Sequence, residues 1–163
     1  MVTIGDYVRI GSVDELLAVF KTSSYPVQLI AGGTDLLTRI EPDSAERVLV
    51  ADIGDVDELA GLETTGEGLR IGAATKLADL EGSELLSGAL GVLAGAVAQV
   101  GSPQIRNLAT IGGNVCNASP AADTVPPLLI LDARAEMVSP RGLRTVPLDE
   151  VFVGPGQTVM NED

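Results

Sequence analysis

The chain has no histidine and only one cysteine, Cys116, among its 163 residues. With one cysteine it cannot form an internal disulfide, and it lacks the ligands of an ordinary zinc site or of an iron–sulfur cluster held by this chain alone. The absence of histidine also excludes serine–histidine catalytic machinery. Chemistry must therefore come from a bound cofactor.

Basic residues are scarce: 10 Lys and Arg stand against 23 Asp and Glu, which gives a formal net charge of -13. Binding to a nucleic acid backbone needs clustered Lys and Arg, so nucleic acid is excluded as a partner. An anionic cofactor would have to be held locally by backbone dipoles, against the field of an acidic protein.

Long apolar runs are also missing. The longest, residues 89–100, is shorter than a membrane span and contains Gly91, Gly95 and Gln99. Residues 1–6 lack the basic and apolar segments of a secretory signal. We therefore expect a cytoplasmic protein without a membrane span. With 45% hydrophobic residues the chain can bury one core, divided into two lobes.

The first third of the sequence predicts a small βαβ-like lobe. Ser12 and Glu15 have capping-box spacing, and the apolar residues that follow recur at helical intervals. The other predicted elements are a buried strand over residues 27–30, a short helix over 36–40 and a strand over 47–53.

The remaining sequence predicts mixed structure with antiparallel hairpins. Thr75 is predicted to cap a helix, and Asp123 or Thr124 precedes a helix with proline in its first turn. The other predicted elements are a hairpin of residues 59–63 and 69–73, a buried helix over 89–100, and a hairpin of residues 135–139 and 143–146.

Two glycine-rich segments carry most of the functional information: residues 31–35, Ala-Gly-Gly-Thr-Asp, and residues 110–114, Thr-Ile-Gly-Gly-Asn. Each follows an apolar run, residues 27–30 and 105–109, and so places glycines where a predicted strand ends. Glycine accepts positive φ and lets a ligand approach the backbone closely. Such turns can direct several N–H groups into one concavity, which binds phosphate without a basic side chain. Two segments indicate a ligand with two phosphates.

The polar residues of these segments also have purely structural interpretations. Asp35 and Asn114 could cap their own turns. The neighbouring hydroxyls of Thr34 and Thr110, however, suit a diphosphate. Asp123 could cap a helix, or it could accept hydrogen bonds from ribose hydroxyls, as acidic residues do in other dinucleotide sites.

Several stretches carry a family resemblance: residues 6–9 (DYVR), 12–17 (SVDELL), 29–37 (LIAGGTDLL), 68–73 (GLRIGA), 100–114 (VGSPQIRNLATIGGN), 117–123 (NASPAAD) and 154–156 (GPG). Together they resemble the FAD-binding, or medium, subunit of the molybdenum hydroxylases. That group contains the flavin domains of xanthine dehydrogenase and aerobic carbon monoxide dehydrogenase. The resemblance covers nearly the whole chain, and the second glycine segment in its context is highly specific.

This resemblance implies a two-lobed α+β fold of the vanillyl-alcohol-oxidase and carbon-monoxide-dehydrogenase flavoprotein type, with extended FAD between the lobes. Residues 1–55 would form the small lobe and residues 56–163 the larger lobe of mixed and antiparallel strands. The positions that match the family's FAD contacts are Leu29, Ile30, Ala31, Gly32, Gly33, Thr34, Asp35, Leu36, Thr110, Gly112, Gly113 and Asn114 at the pyrophosphate, Val100, Gly101 and Cys116 along the flavin, and Ala122 and Asp123 on the adenosine side.

The resemblance also implies partner subunits. In that family a molybdenum-cofactor large subunit oxidises the substrate, and an iron–sulfur small subunit passes the electrons through two [2Fe–2S] clusters to FAD. From FAD they reach NAD, a quinone or oxygen. The chain would then be an electron-transfer component of an oxidoreductase, with no catalytic residue and no metal ligand of its own.

The sequence departs from the family pattern at its end. The family usually continues past the Gly-Pro-Gly segment into a further α+β domain, which adds a lysine and other contacts near the flavin. Here the sequence stops at Asp163. This is expected to mean a fragment, a lobe supplied by a separate chain, or a reduced flavin site.

Two alternatives belong to other functional classes. A degenerate interaction module would keep the fold but bind no flavin. A self-sufficient oxidase of the related vanillyl-alcohol-oxidase fold often attaches its flavin through His or Cys, which leaves only Cys116. We expect Cys116 to be a small buried residue instead, because nothing in the sequence activates its thiol.

Overall fold

The computed structural model describes residues 2–41 and 45–162. The predicted small lobe (1–55) and larger lobe (56–163) therefore each include residues outside the described ranges. Its architecture is α+β, with a parallel three-stranded sheet followed by antiparallel strand pairs and short helices. The predicted fold class is confirmed, since both kinds of sheet are present.

The N-terminal part contains β1 (Thr3–Arg9), α1 (Val13–Thr22), β2 (Val27–Ile30) and β3 (Arg47–Asp52). The strands are parallel and lie in the order β1-β3-β2. A 3-10 helix, Leu36–Arg39, follows β2. The carboxyl ends of β2 and β3 therefore meet at one sheet edge, where the first glycine segment begins.

Helix α1 begins as its capping residues predict. Ser12 Oγ accepts a hydrogen bond from the Glu15 N–H at 3.1 Å, and the Glu15 carboxylate accepts one from the Gly11 N–H at 2.7 Å. The first bond satisfies an N–H group that the helix end leaves without a partner, and the second fixes the residue that precedes the cap.

Strand β1 is not predicted from the sequence. Its residues, TIGDYVR, include Gly5 and Asp6, which have low strand propensity, and five of the seven are exposed. Pairing with β3, from Thr3 opposite Arg47 to Arg9 opposite Asp52, makes this segment an edge strand.

The C-terminal part is built from short elements: β4 (Leu62–Thr65), β5 (Gly68–Ile71), α2 (Leu77–Glu81), α3 (Gly91–Val97), α4 (Pro103–Arg106), α5 (Ile111–Cys116), α6 (Val125–Ile130), β6 (Arg134–Ser139), β7 (Gly142–Pro147), β8 (Phe152–Gly154) and β9 (Gln157–Thr158). The β4–β5 and β6–β7 pairs are the two predicted hairpins. The predicted proline in the first turn of α6 is also confirmed.

Three local predictions in this part are wrong. Residues 105–109 form the end of α4 and a turn, because Ser102 Oγ caps a helix that begins at Pro103. Thr75 does not cap α2, because the helix begins at Leu77 and its N-cap residue is Lys76. The Thr75 hydroxyl instead donates to the Gly61 carbonyl at 3.0 Å. The helix over residues 89–100 is shorter, with a 3-10 turn before Gly91.

The buried apolar side chains form two clusters. The first surrounds Ile10, Leu16, Ala51 and Val56 and belongs to the parallel sheet and α1. The second is larger and is centred on α2 and α3, with fully buried Leu77, Leu80, Leu93 and Val97. Ile111, the first residue of α5, is part of this second cluster, which anchors the second glycine segment.

Candidate functional site

The first glycine segment offers unpaired backbone donors. It leaves β2 at Ile30, and Gly33 adopts φ +69, a conformation that side chains disfavour. Over the described part of the chain, the N–H groups of residues 32–35 donate to no partner. Backbone N–H groups that are partly buried are nearly always bonded to protein, water or ligand. Four consecutive N–H groups are therefore open to a ligand at the place where the sequence predicts an anion-binding concavity.

The second glycine segment is built differently, because it is the first turn of a helix. Thr110 caps α5 and accepts from the Gly113 N–H at 3.1 Å through its hydroxyl, and from the Asn114 N–H at 3.0 Å through its carbonyl. The Ile111 and Gly112 N–H groups donate to the Thr75 and Ala73 carbonyls at 3.0 and 2.8 Å. All four donors are therefore occupied by the protein.

The glycines of this second segment instead allow close approach. A Cβ added at Gly112 would lie 2.7 Å from the Ala73 Cβ and carbonyl oxygen, so only glycine fits there. Gly113 is exposed, and a Cβ there would meet only the Thr110 hydroxyl, at 3.0 Å. Gly113 thus presents open backbone surface, whereas Gly112 is held against the protein.

The first glycine segment packs against the residues just before the second one. A Cβ added at Gly32 would lie 2.1 Å from the Leu108 carbonyl oxygen and 2.9 Å from the Ala109 Cα. The residues that precede Thr110 therefore pack directly on the first segment. Folding therefore brings the first segment close to the start of the second, although they are almost eighty residues apart in sequence.

The adenosine-side candidates lie just before α6. Ala122 is buried and Asp123 is exposed. Thr124, fully buried, donates its hydroxyl to the Asn114 side-chain oxygen at 2.6 Å and so ties this loop to α5. Asp123 does not cap α6, whose N-cap is Thr124 without a side-chain cap bond. Among the residues that the structure describes, the Asp123 carboxylate has no hydrogen bond or ion pair.

A shallow apolar cleft of about 260 Å³ lies beside Ala122. Its walls come from two stretches, residues 118–126 and 152–155. No local sequence pattern predicts this cleft, because its second wall lies about thirty residues after the first along the chain.

The flavin-side candidates lie in two places. Val100 and Gly101, the latter with φ +53, form the turn between α3 and α4. Cys116 ends α5, with its Sγ 3.5 Å from the Met160 Sδ. The expectation that Cys116 is buried is wrong for this chain, because the residue is exposed. Desolvation by its surroundings nevertheless raises the pKa of the thiol, which keeps it protonated and weakly nucleophilic at neutral pH.

Two arginines near the candidate residues were not identified from the sequence. Arg39 donates to the Asp35 carboxylate and, at 3.4 Å, to the Asn117 side-chain oxygen. Arg106, 8% exposed, donates to Glu81 at 2.6 and 3.2 Å and to the Val100 carbonyl at 3.2 Å. The spacing of Asp35 and Arg39, four residues apart, is the signal that could have identified the first pair.

Neither a metal site nor a membrane helix is seen in the described residues. Residues 2–41 and 45–162 contain no group of three or more side chains able to hold a metal ion. Within the same ranges, every helix is too short or too polar to cross a bilayer.

Comparison with known proteins gives matches along the full length of the chain. Residues 2–163 match the family model described as the FAD binding domain in molybdopterin dehydrogenase. The xanthine dehydrogenase FAD-binding subunit of Escherichia coli O157:H7 is 39% identical over 137 residues, which are 83% of this chain and 47% of that protein. The carbon monoxide dehydrogenase medium chain of Hydrogenophaga pseudoflava is 33% identical over 152 residues, 93% of this chain and 53% of that one.

The fold has counterparts among solved structures. Carbon monoxide dehydrogenase from Hydrogenophaga pseudoflava, in a form lacking the Mo-pyranopterin moiety of its cofactor, superposes with a TM-score of 0.88 at 32% identity. The match covers 94% of this chain and 54% of that chain. The chain spans about half the length of the relatives it matches.

Proposed function

Because this chain belongs to the family of FAD-binding domains of molybdopterin dehydrogenases, we propose that it binds FAD and serves as an electron-transfer component of such an oxidoreductase. The observation that carries this proposal is the run of four free N–H groups at residues 32–35. The exposed backbone of Gly113, in the second glycine segment, supports it. Asp123, exposed and without a bonding partner in the described structure, supports the adenosine side of the same ligand.

The residues have distinct roles in this proposal. The N–H groups of residues 32–35 hold the pyrophosphate, since backbone dipoles bind phosphate in a chain with a net charge of -13. The Thr34 hydroxyl adds a donor to the same group. Asp123 accepts hydrogen bonds from the ribose hydroxyls. Gly113 leaves space for the ligand, and Gly32 keeps the two segments in contact.

The other positions that match the family's FAD contacts are proposed on the strength of that match. Val100, Gly101 and Cys116 line the flavin, and bound FAD supplies the capacity to take up and release electrons. We propose that the electrons come from an iron–sulfur small subunit, which receives them from a molybdenum-cofactor large subunit. The two-lobe division at residues 55 and 56 belongs to this proposal as well.

Titration of the purified chain tests the function. FAD binding is measured by isothermal calorimetry, first alone and then in excess ADP. We expect measurable FAD binding and effective competition by ADP, because the proposed contacts concentrate at the phosphates and ribose. Tight FAD binding that ADP fails to displace would show that the flavin ring dominates recognition.

The two alternatives predict different results for the same protein. A degenerate interaction module would bind neither FAD nor ADP and would show no flavin absorbance. A covalent flavoprotein would retain its flavin after acid precipitation. The raised pKa of the Cys116 thiol argues against that covalent link.

A further inference from the structure

We propose that Arg39 sets the charge of the anion-binding segment: by pairing with Asp35 it cancels the one carboxylate inside that segment and so raises affinity for a diphosphate. This inference rests on the proposed function, and it concerns a residue outside the segment that the sequence identified. Arg39 acts as a positioning and charge-balancing residue.

The segment proposed to bind a phosphate also carries a negative charge. Asp35 contributes one of the four free N–H groups of residues 32–35, and its carboxylate lies on the same residue. That carboxylate does not cap the 3-10 helix that follows it. Without a counter-ion, it would repel an anion at its own backbone N–H.

Arg39 supplies the counter-ion from one turn away. It is the last residue of the 3-10 helix Leu36–Arg39, and its guanidinium donates to the Asp35 carboxylate. A second hydrogen bond, 3.4 Å long, goes to the side-chain oxygen of Asn117, at the end of α5. Arg39 therefore joins the first glycine segment to the helix that carries the second one.

The Arg39–Asp35 ion pair should contribute more to the binding of an anionic ligand than to the stability of the fold. Its side chains are 58% and 44% exposed, and exposed pairs of this kind contribute little to stability. A bound diphosphate, however, brings about two further negative charges close to Asp35. In a chain with 10 basic and 23 acidic residues, the position of one guanidinium then matters for an anion.

Ligands with different numbers of phosphates test the proposal. Calorimetric titration of the whole chain with ADP, AMP and adenosine compares wild type with Arg39→Ala, Arg39→Lys, Asp35→Asn and the double variant Asp35→Asn/Arg39→Ala. We expect Arg39→Ala to weaken ADP binding about tenfold and AMP binding about threefold, with adenosine unchanged. Arg39→Lys should stay within about twofold of wild type, since the charge is kept.

The double variant distinguishes charge from structure. Removing both charges should restore ADP affinity to within about twofold of wild type, whereas Asp35→Asn alone should strengthen it. Arg70→Ala and Glu136→Gln are matched controls, because they remove charges from another exposed ion pair, between β5 and β6, and should leave ADP affinity unchanged.

The opposing outcomes are separable. Equal ADP affinity for wild type and Arg39→Ala, or a double variant as weak as Arg39→Ala, would overturn the charge-balancing role and leave the proposed function standing. Loss of adenosine binding in Arg39→Ala would assign the residue a merely structural role. A wild-type chain that binds neither FAD nor ADP would overturn both proposals.

Discussion

Single glycine residues contribute to the candidate site in different ways. Gly33 adopts a positive φ, Gly32 allows contact with residues 108 and 109, and Gly113 leaves open surface. The sequence predicts all three as ligand-binding glycines, but only the contacts of each one separate a packing role from a binding role. Substitutions that add one methyl group can therefore distinguish these roles.

Gly32→Ala is expected to destabilise the protein. The added Cβ would lie 2.1 Å from the Leu108 carbonyl oxygen, so the two segments must move apart. We expect a loss of about 3 kcal/mol in the free energy of unfolding, measured by urea denaturation. Gly95→Ala is the control: it meets open space on α3 and should raise stability by about 0.5–1 kcal/mol. Equal stability of the two variants would contradict the contact.

Gly113→Ala is expected to separate binding from folding. Its added Cβ meets only the Thr110 hydroxyl at 3.0 Å, so the free energy of unfolding, measured by thermal denaturation, should change by less than about 1 kcal/mol. FAD affinity should fall at least about tenfold, because the methyl group occupies space proposed for the ligand. Calorimetric titration measures this effect. Unchanged affinity in a folded variant would remove Gly113 from the site.

Cys116 is expected to react slowly although it is exposed. Desolvation raises the pKa of its thiol above the ordinary value of 9.0, so the thiolate fraction at pH 7 is smaller than in a free peptide. Alkylation by iodoacetamide should be slower than for a cysteine-containing peptide, and its rate should still be rising at pH 9. Mass spectrometry follows the reaction. Faster alkylation than in the peptide would show an activated thiol.

At the scale of elements, helices α2 and α4 are joined by an ion pair that also fixes the turn before α4. Arg106 donates two hydrogen bonds to Glu81 on α2 and one to the carbonyl of Val100. The arginine side chain is 10% exposed, whereas Glu81 is 37% exposed. The Arg106–Glu81 pair therefore helps to fix the backbone of Val100, one of the flavin-side candidates.

Arg106→Ala should cost about 2–3 kcal/mol of unfolding free energy, because three hydrogen bonds are lost and Glu81 keeps only part of its hydration. Denaturation in urea gives the value. Arg70→Ala removes an exposed pair with Glu136 and should change stability by less than about 1 kcal/mol. If both variants lose the same amount, the Arg106 pair has no special structural role.

Across the whole molecule, acidic charge opposes the approach of an anionic cofactor. In the proposed complex, the net charge of -13 would repel FAD at long range, while the local donors of residues 32–35 would attract its phosphates at short range. Salt screens the long-range part first, since the Debye length shortens from over 20 Å at 20 mM to about 6 Å at 300 mM.

The association rate of FAD should therefore rise with salt. We expect a twofold to threefold increase, on the order of what weak steering gives, between 20 and 300 mM NaCl. Stopped-flow flavin fluorescence measures it, and uncharged riboflavin serves as the control without salt dependence. A rate that falls with salt would indicate that local attraction by positive charge, rather than the net negative charge, dominates the encounter.

The sequence by itself determined the elements whose signals are local. Helix α1 begins at its capping box, and β2 and β3 are themselves largely apolar runs. Both hairpins have turn-forming residues between their strands. The family was also predictable, because glycine segments and their flanking residues form a continuous motif. Strand β1 was not, because its residues favour a strand only when β3 lies beside them.

Only the tertiary structure decided which N–H groups are free for a ligand. Both glycine segments are similar in sequence, yet residues 32–35 keep their donors free, while the donors at 111–114 bond to Thr110 and to the Ala73 and Thr75 carbonyls. The Ala73 and Thr75 carbonyls come from more than 35 residues away in sequence, so no local pattern could predict those two bonds. The same holds for Arg39 and Asn117, which meet only because folding brings the two segments together.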